Sequence, residues 1–202
     1  MSDPVFINCP FDTGYNTKFR AIIFSIVSCG FHPRCALELD NAVEGRLAKI
    51  LRIVKECRLS VHDISRTQLD EKTRLPRFNM PFELGLFFGA KEFGGIEHAG
   101  KSALVLDSTS FRYRKFISDL SGHDISSHRN SINELITLVR NWLSQHRATT
   151  ILPGDRSISD DFRRFARDFP RICRDAGIRQ ERIQYNDFVN IMKIWIAKQA
   201  RP

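Results

Sequence analysis

Glu83 is the one charged side chain between Arg77 and Lys91, inside the run Asn79-Met80-Pro81-Phe82-Glu83-Leu84-Gly85-Leu86-Phe87-Phe88-Gly89-Ala90. A lone carboxylate in an apolar helix has two ordinary uses. It complements the helix dipole, or it meets a ligand as a nucleophile or as the counter-charge to a developing cation. The run predicts a buried helix with Asn79 as N-cap and Glu83 in the opening turn, since Pro81 is tolerated only near a helix start. There the dipole would favour the ionised carboxylate by about 0.3–1 kcal/mol. Gly85 and Gly89 share a face, and each disfavours a helix by about 1 kcal/mol relative to Ala, so close backbone packing or ligand approach is expected along it.

The remaining polar candidates fall at the ends of short apolar runs. Val5-Phe6-Ile7-Asn8-Cys9 precedes the turn Pro10-Phe11-Asp12-Thr13-Gly14, and Leu59 to Ser65 ends in His62-Asp63-Ile64-Ser65. In an open parallel sheet, ligands collect beyond the carboxyl ends of the strands. That rule gathers Asn8, Asp12, Arg34, Glu38, Asp63, Ser65 and Glu83 into one candidate site, and Phe11, Tyr15, Arg77 and Asn79 are counted with it as substrate-binding residues. Backbone N–H groups at the helix start near Tyr15 suit hydroxyls or phosphate, and Arg34 suits a bidentate phosphate contact. His62 is expected as a packed, hydrogen-bonded strand residue. His123, Asp124 and His128 lack the spacing of a metal site, so no metal is expected. Neither G-x-G-x-x-G nor a P-loop is present.

The elements that position these residues alternate. Strands are expected at Val5–Cys9, Pro33–Leu39, Leu59–Ser65 and Lys101–Asp107, with helices over Tyr15–Cys29, around Leu47–Val54, after Asn79, and over Ser131–Leu143. Leu47, Ile50, Leu51 and Val54 form the apolar stripe of the second helix. Ser108–Asn130 is expected to hold a further small element. This order predicts an α/β, doubly wound parallel sheet, with residues 1–147 as the α/β domain and 148–202 as a helical C-terminal extension. In that extension Phe162, Phe165 and Phe169, then Phe188, Met192 and Trp195, have helical spacing.

Composition narrows the class. The chain has 202 residues, 42% hydrophobic and 27% charged, which describes a globular protein and not a disordered one. No apolar run approaches the roughly 20 residues of a membrane span, and the start lacks a basic, then apolar, leader, so a cytoplasmic location is expected. Five dispersed cysteines without a C-x-x-C pair are expected to be reduced and buried. The net charge of +8 suits an anionic ligand, with nucleic acid a secondary partner class for the basic tail.

The combination of Val5-Phe6-Ile7, His62-Asp63-Ile64-Ser65 and Phe82-Glu83-Leu84-Gly85 resembles nucleoside 2-deoxyribosyltransferase-like proteins and the related Toll/interleukin-1 receptor (TIR) domains of bacteria, over residues 5 to 145. The resemblance implies a flavodoxin-like sheet, and it implies a catalytic pair: Glu83 as the essential carboxylate, and Asp63 as the acid that helps hold sugar or base. The chain departs from the transferases before the helix, where Pro76-Arg77-Phe78-Asn79 lacks a second carboxylate. Arg77 there points to a phosphate-bearing nucleotide or dinucleotide. The implied activity is cleavage of the N-glycosidic bond of NAD or a related nucleotide, with NAD a substrate and no separate cofactor. A deoxyribosyltransferase-like enzyme and a non-catalytic nucleotide-sensing module are the alternatives. The same resemblance implies homo-oligomeric assembly, a setting in antiphage defence, and an assembly or partner-binding role for the C-terminal helices.

Overall fold

Apolar residues at alternate positions of each strand are divided between two helical layers. In β1 (Pro4–Asn8), Val5 and Ile7 join one core, while Phe6 joins the other. In β3 (Leu59–Asp63), Leu59 and Val61 lie on the first side, and in β4 (Ser102–Asp107) Leu104 and Leu106 do so while Val105 faces the second. This is the pattern of a sheet covered on both faces. The computed structural model describes residues 2–38, 43–67, 69, 74–75, 77–147 and 150–199. Among these, five strands form one wholly parallel sheet in the order β2-β1-β3-β4-β5, with β2 at His32–Arg34 and β5 at Ile125–Ser127. That is the flavodoxin-like order, and the fold is the α/β doubly wound arrangement expected from the sequence.

The helices are α1 (Asn16–Ser28), α2 (Arg46–Glu56), α3 (Asn79–Phe93), α4 (Ile132–Ser144), α5 (Asp155–Asp175) and α6 (Tyr185–Gln199). Helices α1 and α4 cover one face, and α5 and α6 pack outside them in a single continuous core. Phe24 of α1 touches Phe162, Phe165 and Trp195, so the phenylalanine stripe of α5 is a packing face. Helices α2 and α3 cover the other face. The Ser131 hydroxyl caps α4 by accepting from Glu134 N at 3.3 Å. All five cysteines are free and buried, and among the described residues no helix is long and apolar enough to cross a membrane.

Several local expectations change. The second strand covers only His32–Arg34, and position 39, its expected end, lies outside the described residues. The expected stripe of α2 is rotated: Ile50, Ile53, Val54 and the stem of Lys49 are buried, whereas Leu47 and Leu51 are about half exposed. The element expected within Ser108–Asn130 is a pair of 3-10 turns, Arg112–Lys115 and Ser118–Leu120, followed by β5.

Candidate functional site

Helix α3 opens at Asn79 itself, with Phe78 in the cap position and no side-chain cap bond, so Asn79 is not the N-cap. Glu83 therefore sits in the second turn, where the helix dipole has largely faded. Burial decides its charge instead. The residue is 6% exposed, and burial pushes the carboxyl up to about 7, against a smaller downward pull from Arg46. The expectation of an ionised, dipole-stabilised acid is thus replaced by a carboxyl that exchanges its proton near neutrality. The helix is also only half buried. Met80, Glu83, Leu84 and Phe87 face inward, while Phe78 and Phe82 are exposed. Gly85 and Gly89 lie on the open side, where an added Cβ would meet nothing within 4 Å, so neither marks a close approach.

Glu83 lines a cleft of about 750 Å³ at the carboxyl end of β1, together with Asn8, Phe11, Asp12, Arg46, Arg77 and Asn79. Arg46, the first residue of α2, places Nη2 3.8 Å from Glu83 Oε1. Asn8 has little freedom: its Nδ2 donates to Met80 O at 2.8 Å and to His62 Nδ1 at 2.9 Å. His62 Nε2 in turn donates to Ser60 Oγ at 2.9 Å, and burial lowers its pKa to about 3, so it is a neutral tie between β1, β3 and α3. Asp12 caps the 3-10 turn Thr13–Tyr15 by accepting from Tyr15 N at 3.1 Å. It also receives Arg66 at 2.7 Å and Arg77 at 3.5 Å. Arg66 crosses Gly14 to reach it, and a Cβ there would stand 2.5 Å from the guanidinium.

The structure separates Asp63 from this cleft. Its side chain is 0% exposed; Oδ2 accepts from the Tyr15 hydroxyl and lies 3.1 Å from His128 Nε2, and Oδ1 accepts from Ser65 N at 2.8 Å. Burial acts to raise the Asp63 pKa, but His128, the Ser65 N–H and Tyr15 together outweigh it and hold the carboxyl below its ordinary value. His128 Nδ1 accepts from Asn130 N at 3.1 Å, which leaves the ring proton on Nε2, facing Asp63. The turn that aims it places Arg129 and Asn130 in left-handed conformations, φ 50° and 57°. Asp63, Ser65 and Tyr15 thus form a buried brace beneath the strand ends. Arg34 stands apart as well: its guanidinium grips Glu38 at 2.6 and 2.7 Å and Glu56 at 2.9 Å.

The cleft therefore unites Glu83 with Asn8, Phe11, Asp12, Arg77 and Asn79, and leaves Asp63, Ser65, Tyr15 and Arg34 outside its lining. It also contains Arg46 and Cys9, two titratable residues outside the expected binding set. Arg46 lies off the apolar stripe expected of α2, and its position at the front of that helix is the signal for it. Cys9 also lines the cleft, with a thiol pushed well up by burial and by nearby Asp63, Cys35 and Glu83, which keeps it protonated. A carboxyl with a guanidinium 3.8 Å away and a second in the same lining, in a cleft at the carboxyl end of β1, can bind a polar anionic ligand and present an acid to its uncharged part. No protein-family model, curated protein or solved structure shows a significant match to this chain.

Proposed function

We propose that the protein is an N-glycosidase of the TIR-like or deoxyribosyltransferase-like kind, acting on NAD or a related nucleotide through Glu83. The observation that carries the reading is the placement of Glu83 in a cleft at the carboxyl end of β1, with Arg46 and Arg77 in the same lining. In NAD the bond from the ribose carbon to nicotinamide breaks with its electron pair passing to the ring nitrogen, whose positive charge is thereby neutralised. The sugar becomes oxocarbenium-like, and an ionised Glu83 stabilises or captures it until water adds and loses a proton. Little acid assistance is needed for this leaving group, so one carboxylate suffices. By the resemblance, the active form is an assembly of copies and the setting is antiphage defence.

Incubation of concentrated protein with NAD, NADP and nucleosides, read by mass, tests the reading. Free nicotinamide is expected from wild type, with a roughly 10²–10³-fold loss in Glu83→Gln. Intact substrates throughout would overturn it. A second reading, a nucleotide-sensing module, is favoured by the withdrawal of Asp63 from the cleft, since Glu83 is left without a second acid at the sugar. It predicts a ligand-dependent rise in Tm with no product.

A further inference from the structure

A second chamber, of about 590 Å³, adjoins the Glu83 cleft and shares Phe11 and Asp12 with it. One wall is the start of α1, with Phe19 and Arg20; the other is the start of α6, with Tyr185 and Phe188. The Phe19 and Tyr185 rings lie within 23° of parallel with centroids 6.2 Å apart, and Phe11 meets Phe19 edge-on at 5.1 Å. Among the described residues, Arg20 is the one cation in this lining. Its guanidinium lies 5.1 Å from the ring centres of both Phe169 and Phe188. No acceptor among the described residues takes its N–H groups. Aromatic walls beside a guanidinium whose N–H edge is unclaimed suit a flat ring that carries an anion. The two chambers each have the volume of a small-molecule site, and they share the Phe11–Asp12 rim.

We propose that the second chamber receives the other half of a dinucleotide-type ligand, its base against Phe11, Phe19, Tyr185 and Phe188 and its phosphate on Arg20, while the first half reaches Glu83. The identity of the first half rests on the glycosidase reading; the chamber itself does not. The C-terminal helices then complete the binding site, because Tyr185 and Phe188 supply one of its walls. This makes the ligand longer than a nucleoside and accounts for a site built across two layers of the molecule.

Calorimetric titration of the full chain with the four common nucleoside 5′-monophosphates and the matching nucleosides provides the test. At least one monophosphate is expected to bind about tenfold or more tightly than its nucleoside, by roughly 1.4 kcal/mol. Arg20→Met is expected to abolish that difference and leave nucleoside affinity within about twofold, whereas Phe11→Leu, at the shared rim, should weaken both ligands alike. Monophosphates that bind no better than nucleosides, or a preference that survives Arg20→Met, would overturn the proposal. Discrimination without cleavage of NAD sinks the glycosidase reading and upholds the chamber; cleavage without discrimination does the reverse.

Discussion

Glu83 and Asp63 are both buried acids, and their surroundings drive them in opposite directions. Asp63 is surrounded by donors and stays ionised, while Glu83 has burial set against a single guanidinium at 3.8 Å and rises to about 7. Between its ordinary value of 4.5 and about 7, the folded protein holds a proton that the unfolded chain releases. The stabilisation is full below the lower value and is lost as pH rises through the upper one. Glu83→Gln is therefore expected to match wild type near pH 5 and to exceed it near pH 8, by roughly 1–2 kcal/mol or a few degrees in Tm. Thermal melts at the two pH values check this, and a gain of equal size at both would contradict it. Removal of Arg46 takes away the group that lowers the Glu83 pKa. Arg46→Ala should accordingly shift the acid limb of the proposed NAD cleavage to higher pH, measured as a pH–rate profile.

The helices on the α2–α3 face depend on one buried lysine at the far end of the sheet from the cleft. Lys101, 3% exposed, donates to Val54 O at 2.5 Å and Cys57 O at 2.6 Å, and its ammonium stands 4.8 Å from the Phe87 ring centre. It thus satisfies carbonyls that the end of α2 leaves without helical partners, and it ties α2 and α3 to the start of β4. Burial lowers the Lys101 pKa, and the two carbonyls compensate for the loss of water. Lys101→Leu leaves both acceptors buried and unpaired, and is expected to destabilise by roughly 1–3 kcal/mol in urea denaturation. The Glu83 cleft should survive, because Arg46 and Asn79 sit at the opposite ends of their helices. An unchanged urea midpoint would show that water reaches these carbonyls without the lysine.

One hydrophobic core runs from β1 through α1 and α4 to α5 and α6. Phe165, 2% exposed, packs on Phe24, Phe169, Phe188 and Trp195. Phe165→Ala should cost about 3–5 kcal/mol, and the loss should register over the entire fold. Trp142 in α4 and Trp195 in α6 belong to the same core, so fluorescence and far-ultraviolet dichroism are expected to report one coincident unfolding transition. A separate, earlier transition that removes part of the dichroism together with part of the fluorescence would show that α5 and α6 unfold independently.

The alternation of short apolar runs with helical stripes was enough to establish a parallel α/β sheet, the helix bearing Glu83 and the packing stripe of α5, because those signals repeat within a few residues along the chain. The short strand Ile125-Ser126-Ser127 carried no such signal; it exists because β4 offers it a ladder. Folding alone divided the candidate residues. Asp63 was drawn inward by Tyr15 and His128, Arg34 was taken by Glu38 and Glu56, and Arg46 was brought from α2 to face Glu83. Apart from Arg34–Glu38, four residues apart, each of those pairings joins groups far apart along the chain. Charge state followed the same division: the position of Glu83 suggested a dipole-favoured anion, and the three-dimensional burial of its carboxyl overruled it.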